Sequence, residues 1–247
     1  MRFVKSLVAA AALAMSASAF ATPVTLGGES PDLQTVINGL YTAAGTNISQ
    51  APDVNLNQAA EQGLFQIEAS GGSVATMIIE VAGNAGTNTF GIYDAALGIA
   101  GQKLELFSGP AGSSAQAFLS ATDTYMFSVN FGAGVQFTSN TFGYYIGTAS
   151  GYFYSQAVLN GGDDHMVAFQ GDGDLIKLPG YSAGKWGSSS YILAWEDLPL
   201  STSDKDYNDM VVYVESVTAV PEPGSLALLG LGLAGLAAAS RRKQKQA

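Results

Sequence analysis

The spacing of apolar positions changes character near residue 64. Before it, Leu33, Val36, Ile37 and Leu40 recur at i, i+3, i+4 and i+7, which places all four on one face of a helix. Ser30 as cap, Pro31 at the first helical position and Asp32 at the positive end mark where that helix starts. Residues 45–63 are small and polar and read as a loop. From Leu64 onward the apolar residues fall into short β-rich runs, at 64–67, 75–81, 89–93, 103–107, 125–129, 134–137, 142–146, 151–154, 165–169, 175–178, 191–195 and 210–214. Gly, Asn, Asp and Ser separate nearly all of them. This predicts a mainly β fold, a single β-sandwich or jelly-roll-like domain with one short N-terminal helix. There is no exact internal repeat.

Two stretches do not fit a β domain. Residues 1–21 carry Arg2 and Lys5, an apolar run and then small residues ending in Ala19-Phe20-Ala21. This is the three-part plan of a secretory signal peptide cut before Thr22, with Ala17-Ser18-Ala19 as a second frame. At the other end, Val220-Pro-Glu-Pro-Gly224 precedes an apolar segment at 226–239 and a basic tail containing Arg241, Arg242 and Lys243. As a helix the apolar segment is about 21 Å long, short of a bilayer core of about 30 Å. Its flanking small residues make it a marginal transmembrane helix, with the basic end held in the cytoplasm.

Val-Pro-Glu-Pro-Gly, a short Leu/Gly/Ala helix and an Arg-rich end, in that order, resemble the PEP-CTERM sorting signal of Gram-negative bacteria. The resemblance covers residues 220–247 and implies recognition by an exosortase, a membrane cysteine protease, and cutting at or near Pro221, Glu222 and Pro223. It also implies a route: export through the inner membrane, transient anchoring by the uncleaved helix, and a mature protein at the cell surface or released. Signal peptidase and exosortase are the expected processing partners.

Between these ends, residues 22–219 form one secreted domain with room for a sizeable core. They hold four lysines against 19 carboxylates, a net charge of −15. Such a charge repels nucleic acid and anionic lipid and attracts cations. The chain has no cysteine, so in an oxidising compartment it has no disulfide staple, and bound metal is the obvious substitute.

The acidic residues concentrate between the predicted strands 191–195 and 210–214. Glu196, Asp197, Asp204, Asp206, Asn208 and Asp209 all lie there. Hard oxygen donors at alternate positions suit calcium. On an extended backbone, Asp204, Asp206 and Asn208 would point to one side and Asp209 to the other. An EF-hand is rejected, because its sixth position would be Asp209 and its twelfth Val212. The competing reading is a solvated acidic loop whose side chains bond turn amides. Asp163 and Asp164, after Gly161-Gly162, are either a turn or a second metal position, and Gly171-Asp-Gly-Asp174 reads as a hairpin turn between flanking strands.

His165 is the sole histidine. It is too little for a zinc site, and no G-x-S-x-G elbow accompanies it, so a structural role is expected. Tyr152 and Tyr154 share one face of a predicted strand. Exposed, they would stack on sugar rings; buried, they would be ordinary packing.

Four segments occur together in order: Asn88-Thr-Phe-Gly-Ile-Tyr-Asp94, Asp164-His-Met-Val-Ala-Phe169, Trp195-Glu-Asp-Leu198 and Asp204-x-Asp-Tyr-Asn-Asp209. They resemble a secreted bacterial domain family of unknown function, over residues 64–217. The resemblance implies a β-rich extracellular module and brings no activity with it. The expectation is therefore a non-enzymatic surface or extracellular-matrix protein of biofilm type, structural or adhesive, with calcium as its ion. The alternatives are a carbohydrate-binding module of the exopolysaccharide matrix, and a hydrolase using paired carboxylates.

Overall fold

A computed structural model describes residues 31–45, 51–60, 62–68, 72–80, 86–109 and 111–221. The expected signal peptide, and the sorting segment beyond Pro221 with its apolar helix, lie outside these residues. Among the described residues no helix is long and apolar enough to cross a membrane.

Helix α1 spans Leu33–Ala44. Its cap is Asp32, whose carboxylate accepts from Thr35 N at 2.6 Å. This corrects the expected start: Pro31 lies outside the helix and Asp32, not Ser30, does the capping. An aspartate there satisfies an orphan amide and meets the positive end of the helix dipole together.

Among the described residues fifteen strands follow: β1 (Leu64–Ile67), β2 (Ser73–Glu80), β3 (Thr89–Asp94), β4 (Lys103–Ser108), β5 (Gln116–Ala121), β6 (Met126–Val129), β7 (Val135–Gln136), β8 (Thr141–Thr148), β9 (Gly151–Tyr154), β10 (Met166–Gln170), β11 (Leu175–Ile176), β12 (Gly184–Lys185), β13 (Ser190–Trp195), β14 (Met210–Glu215) and β15 (Val217–Val220). They form one sheet in the order β15-β1-β8-β3-β4, with β9 also paired to β8, a second in the order β10-β13-β14-β2-β5-β6-β7, and a ribbon of β11 and β12. Every pairing is antiparallel.

The two larger sheets face each other across a core that includes Phe65, Phe90, Phe142 and Tyr144 from the first and Met166, Leu193, Trp195, Met210 and Val212 from the second. Side chains of alternate residues leave the opposite face. There Val167, Phe169, Ile192, Ala194, Val211 and Tyr213 meet Leu33, Val36, Ile37 and Leu40 of α1. Strands β13 and β14 are thus buried on both faces, which is why their sequences are unbroken apolar runs rather than alternating ones. Burying each such side chain contributes about 1.5–3 kcal/mol.

The outer face of the first sheet carries a smaller cluster of Tyr93, Tyr145 and Tyr154. Gly143 of β8 makes room for it, since a Cβ there would sit 2.3 Å from the Tyr93 ring.

Three strands were not legible as such. β5 is rich in Ala, Ser and Gln; it is a strand because β2 pairs along one edge and β6 along the other. β12 is two residues long. β15 follows β14 after Ser216 alone, whose φ of 59° turns the chain out of the second sheet and onto β1 of the first. The expected hairpin at 171–174 is also corrected. β10 pairs with β13 and β11 with β12, so this turn leads from one sheet to the ribbon and joins no two neighbours.

Candidate metal centre

The acidic loop connects β13 to β14, whose ends meet at the Trp195–Met210 pair. Glu196 continues β13 by one step, its N–H donating to His165 O at 3.0 Å. By strand alternation it leaves on the face of Ala194, the side of α1, and it is fully buried. Oε1 of Glu196 accepts from Tyr207 N at 2.7 Å and Oε2 accepts from the Ser203 hydroxyl.

One oxygen from each of Glu196, Asp204 and Asp206 lies within 4.8 Å of the other two. Ligands at about 2.3–2.6 Å from a calcium ion are at most about 5 Å apart, so a single ion can reach all three. Asp206 is buried and Asp204 exposed, which leaves the cluster open on one side.

The backbone achieves this by a route the sequence did not suggest. Residues 204–208 are not extended: Lys205 and Tyr207 have φ of 62° and 55°, in the left-handed region that side chains other than glycine seldom occupy. Tyr207 is held there by its buried ring and by its hydroxyl, which donates to Asp164 O. The Asn208 amide nitrogen donates to Asp206 Oδ2 at 2.7 Å and to Pro31 O at 2.9 Å. Pro31 O can only accept, so the amide orientation is settled, and Asn208 braces Asp206 against the start of α1.

The other two acids of the stretch go elsewhere. Asp209 Oδ2 accepts from Asp197 N at 2.8 Å, and Asp197 Oδ2 accepts from Asn88 Nδ2 at 2.8 Å. Burial first, and then the charges of Asp197, Glu196 and Asp206, push the Asp209 carboxyl up to about 8 against the bond from Asp197 N. Burial also raises the Glu196 carboxyl; Ser203 and Tyr207 pull it down and the charges of Asp204 and Asp206 push it further up. Both shifts have the same physical origin, negative charge removed from water among its own kind.

Asp163 and Asp164 follow a turn at Gly161 and Gly162, which have φ of 76° and 105°. Asp164 Oδ1 accepts from Met166 N and Oδ2 from Gln62 Nε2, each at 3.3 Å. His165 is buried, stacks on Phe153 with ring centroids 3.8 Å apart, and has Nδ1 3.4 Å from Glu196 O. Burial lowers its pKa, opposed by Glu196 O and Asp163.

The tyrosine pair is a correction. Tyr154 is only 4% exposed and packs edge-on against Tyr93, so it offers no face to a sugar. Tyr152 is 54% exposed and leans on Tyr145, while Lys103 Nζ lies 5.2 and 5.4 Å over the Tyr152 and Tyr154 rings.

Residues 126–217 match the profile of a domain of unknown function, DUF4114. Residues 219–243 match the PEP-CTERM protein-sorting motif. The chain carries a DUF4114 domain and a PEP-CTERM motif. The DUF4114 match spans β6 to the start of β15 and contains the whole acidic loop; the Asn88 segment lies outside it. The PEP-CTERM motif implies export and processing by an exosortase. Comparison with curated proteins and with solved structures found no match.

In the sequence Asn88 stands out only as the start of the segment Asn88–Asp94. Its reach across to Asp197 depends on two sheets meeting and has no signal in residue spacing.

Proposed function

We propose that this is a non-enzymatic, exosortase-sorted protein of the cell surface or extracellular matrix, structural or adhesive, whose DUF4114 domain is fastened by calcium at Glu196, Asp204 and Asp206. The observation that carries the reading is the convergence of three carboxylate oxygens within 4.8 Å, two of the residues being buried. Like charges so placed repel strongly unless a cation lies among them, and an all-oxygen donor set suits calcium. In a domain with no cysteine the ion takes the stabilising role that disulfides play in other exported proteins.

A hydrolase would also raise carboxyl pKa values. Glu196, however, is fully buried with both oxygens accepting hydrogen bonds, which suits a small ion better than a bulky substrate. Carbohydrate binding is left with Tyr152 alone as an exposed ring of the pair.

Thermal melting with and without calcium tests the proposal. Extracellular calcium modules bind at about 0.1–1 mM, so about 1 mM calcium stabilises by about 0.4–1.4 kcal/mol, a rise of a few degrees in Tm. Magnesium, which demands tighter octahedral geometry, gives much less, and Asp206→Asn abolishes the calcium-dependent part. Equal shifts in wild type and Asp206→Asn reject the ligand assignment. Sorting is tested separately: alanines at Pro221, Glu222 and Pro223 trap an uncut, membrane-associated form, and a complete C-terminus on released wild-type protein refutes processing.

A further inference from the structure

We propose that Asn88, Asp197 and Asp209 hold a second divalent cation of the calcium class, between the two sheets and separate from the position at Glu196, Asp204 and Asp206. Strand alternation separates the two positions. Trp195 and Leu193 of β13 point into the inter-sheet core and Ala194 points to α1. Glu196 follows Ala194, and Asp197 follows Trp195 toward the first sheet, where it meets Asn88 immediately before β3. One step along the chain thus sends two neighbouring carboxylates to opposite faces of one sheet.

Asn88 is 1% exposed and its Oδ1 has no hydrogen-bond partner. A buried carbonyl oxygen without a partner is costly and calls for a ligand. Its own amide nitrogen is 2.8 Å from Asp197 Oδ2. The nitrogen and oxygen of one amide are about 2.3 Å apart, so Oδ1 lies within about 5 Å of that carboxylate oxygen. Two ligands of one calcium ion span no more than this.

Asp209 adds the third side chain, joined to Asp197 through the bond from Asp197 N to its Oδ2 at 2.8 Å. A carboxylate oxygen that accepts one hydrogen bond keeps capacity for a metal. The set is two carboxylates and one amide carbonyl, all hard oxygens, with water or backbone carbonyls completing the shell. Such a set selects calcium over softer metals. An ion there ties the end of β13 in one sheet to the start of β3 in the other.

The test is the number of calcium ions bound per full-length chain, by equilibrium dialysis against calcium alone at millimolar concentration. Wild type is expected to bind two, Asp206→Asn one, Asn88→Ala one, and the double variant none. Asn88→Ala retaining every ion bound by wild type overturns the proposal; water then fills the space beside Oδ1. A single wild-type ion lost in Asn88→Ala but kept in Asp206→Asn upholds this position and rejects the other. The reverse pattern rejects this one, and no ion in wild type rejects both. If Asn88→Ala does not fold, the near-isosteric Asn88→Asp decides. A calcium-dependent rise in Tm larger than that of wild type supports the position, since an added anionic ligand strengthens it. A rise no larger overturns it.

Discussion

Two loops of this protein read alike and behave differently. Asp172-Gly-Asp174 and Asp204-Lys-Asp206 are both D-x-D segments beside a buried aromatic residue. In the first, the backbone does the holding: Gly173 N donates to Trp186 O and Trp186 N to Asp174 O, each at 2.7 Å. Asp172 points outward and closes a local turn by accepting from Asp174 N at 3.1 Å. Burial first, then its charge and that of Asp174, and a side-chain bond with Asp174, raise the Tyr41 phenol. In the second loop Asp206 is buried near Glu196 and braced by Asn208, which also bonds Pro31 O. An aspartate pair stays a local turn or joins a carboxylate cluster according to whether a third acid from another element is buried beside it.

The largest test of this contrast is Tyr207→Ala. It removes the ring and hydroxyl that hold the second loop, at about 3–5 kcal/mol. At about 2–4 °C per kcal/mol the melt falls by roughly 6–20 °C, while Asp172→Ala costs under about 1 kcal/mol. Comparable losses in the two would erase the distinction.

Next in size is Gly171→Ala. A Cβ there lies 2.3 Å from Gly187 O and 2.5 Å from Trp186 Cδ1, so the overpacking costs about 1–3 kcal/mol. Urea denaturation that leaves Gly171→Ala as stable as wild type would show that close backbone approach is not what holds the first loop.

Calcium sharpens the comparison at smaller scale. Asp172→Asn and Asp174→Asn keep the whole calcium-dependent rise of about 0.4–1.4 kcal/mol, in contrast to Asp206→Asn. Loss of the rise in either of the first two, by calorimetry, would move the ion to the wrong loop.

The smallest effect is at the far end of β14. Glu215 is half-buried, and burial alone raises its carboxyl. A carboxyl raised on folding costs stability as pH climbs above its unfolded value of about 4.3. Glu215→Gln is therefore expected to match wild type below that pH and to gain on it toward neutrality. A pH-independent difference in Tm would mean that Glu215 acts by packing rather than charge.

Much of the architecture was open to reading along the chain. The i, i+3, i+4, i+7 face of α1 and the apolar runs of β13 and β14 are local consequences of burial, and periodicity reports burial directly. The sorting motif at residues 219–243 was equally plain, because sorting machinery reads linear sequence. β5 was hidden because Ala117 and Leu119 are its two buried positions, too few for a period. β15 was hidden because Ser216 reverses the chain from one sheet to the other within a single residue.

The acidic composition of residues 196–209 was determined by the sequence alone, since charge and donor type belong to the residues themselves. Which carboxylates meet was decided by tertiary structure. Glu196 and Asp197 are neighbours in the chain, yet the pleat of β13 sends one to α1 and the other across to Asn88. Left-handed residues at Lys205 and Tyr207 fold Asp206 back onto Glu196. A covalent neighbour is set by the gene, whereas a neighbour in space depends on which face of which sheet each side chain leaves, and that is known only once both sheets have packed.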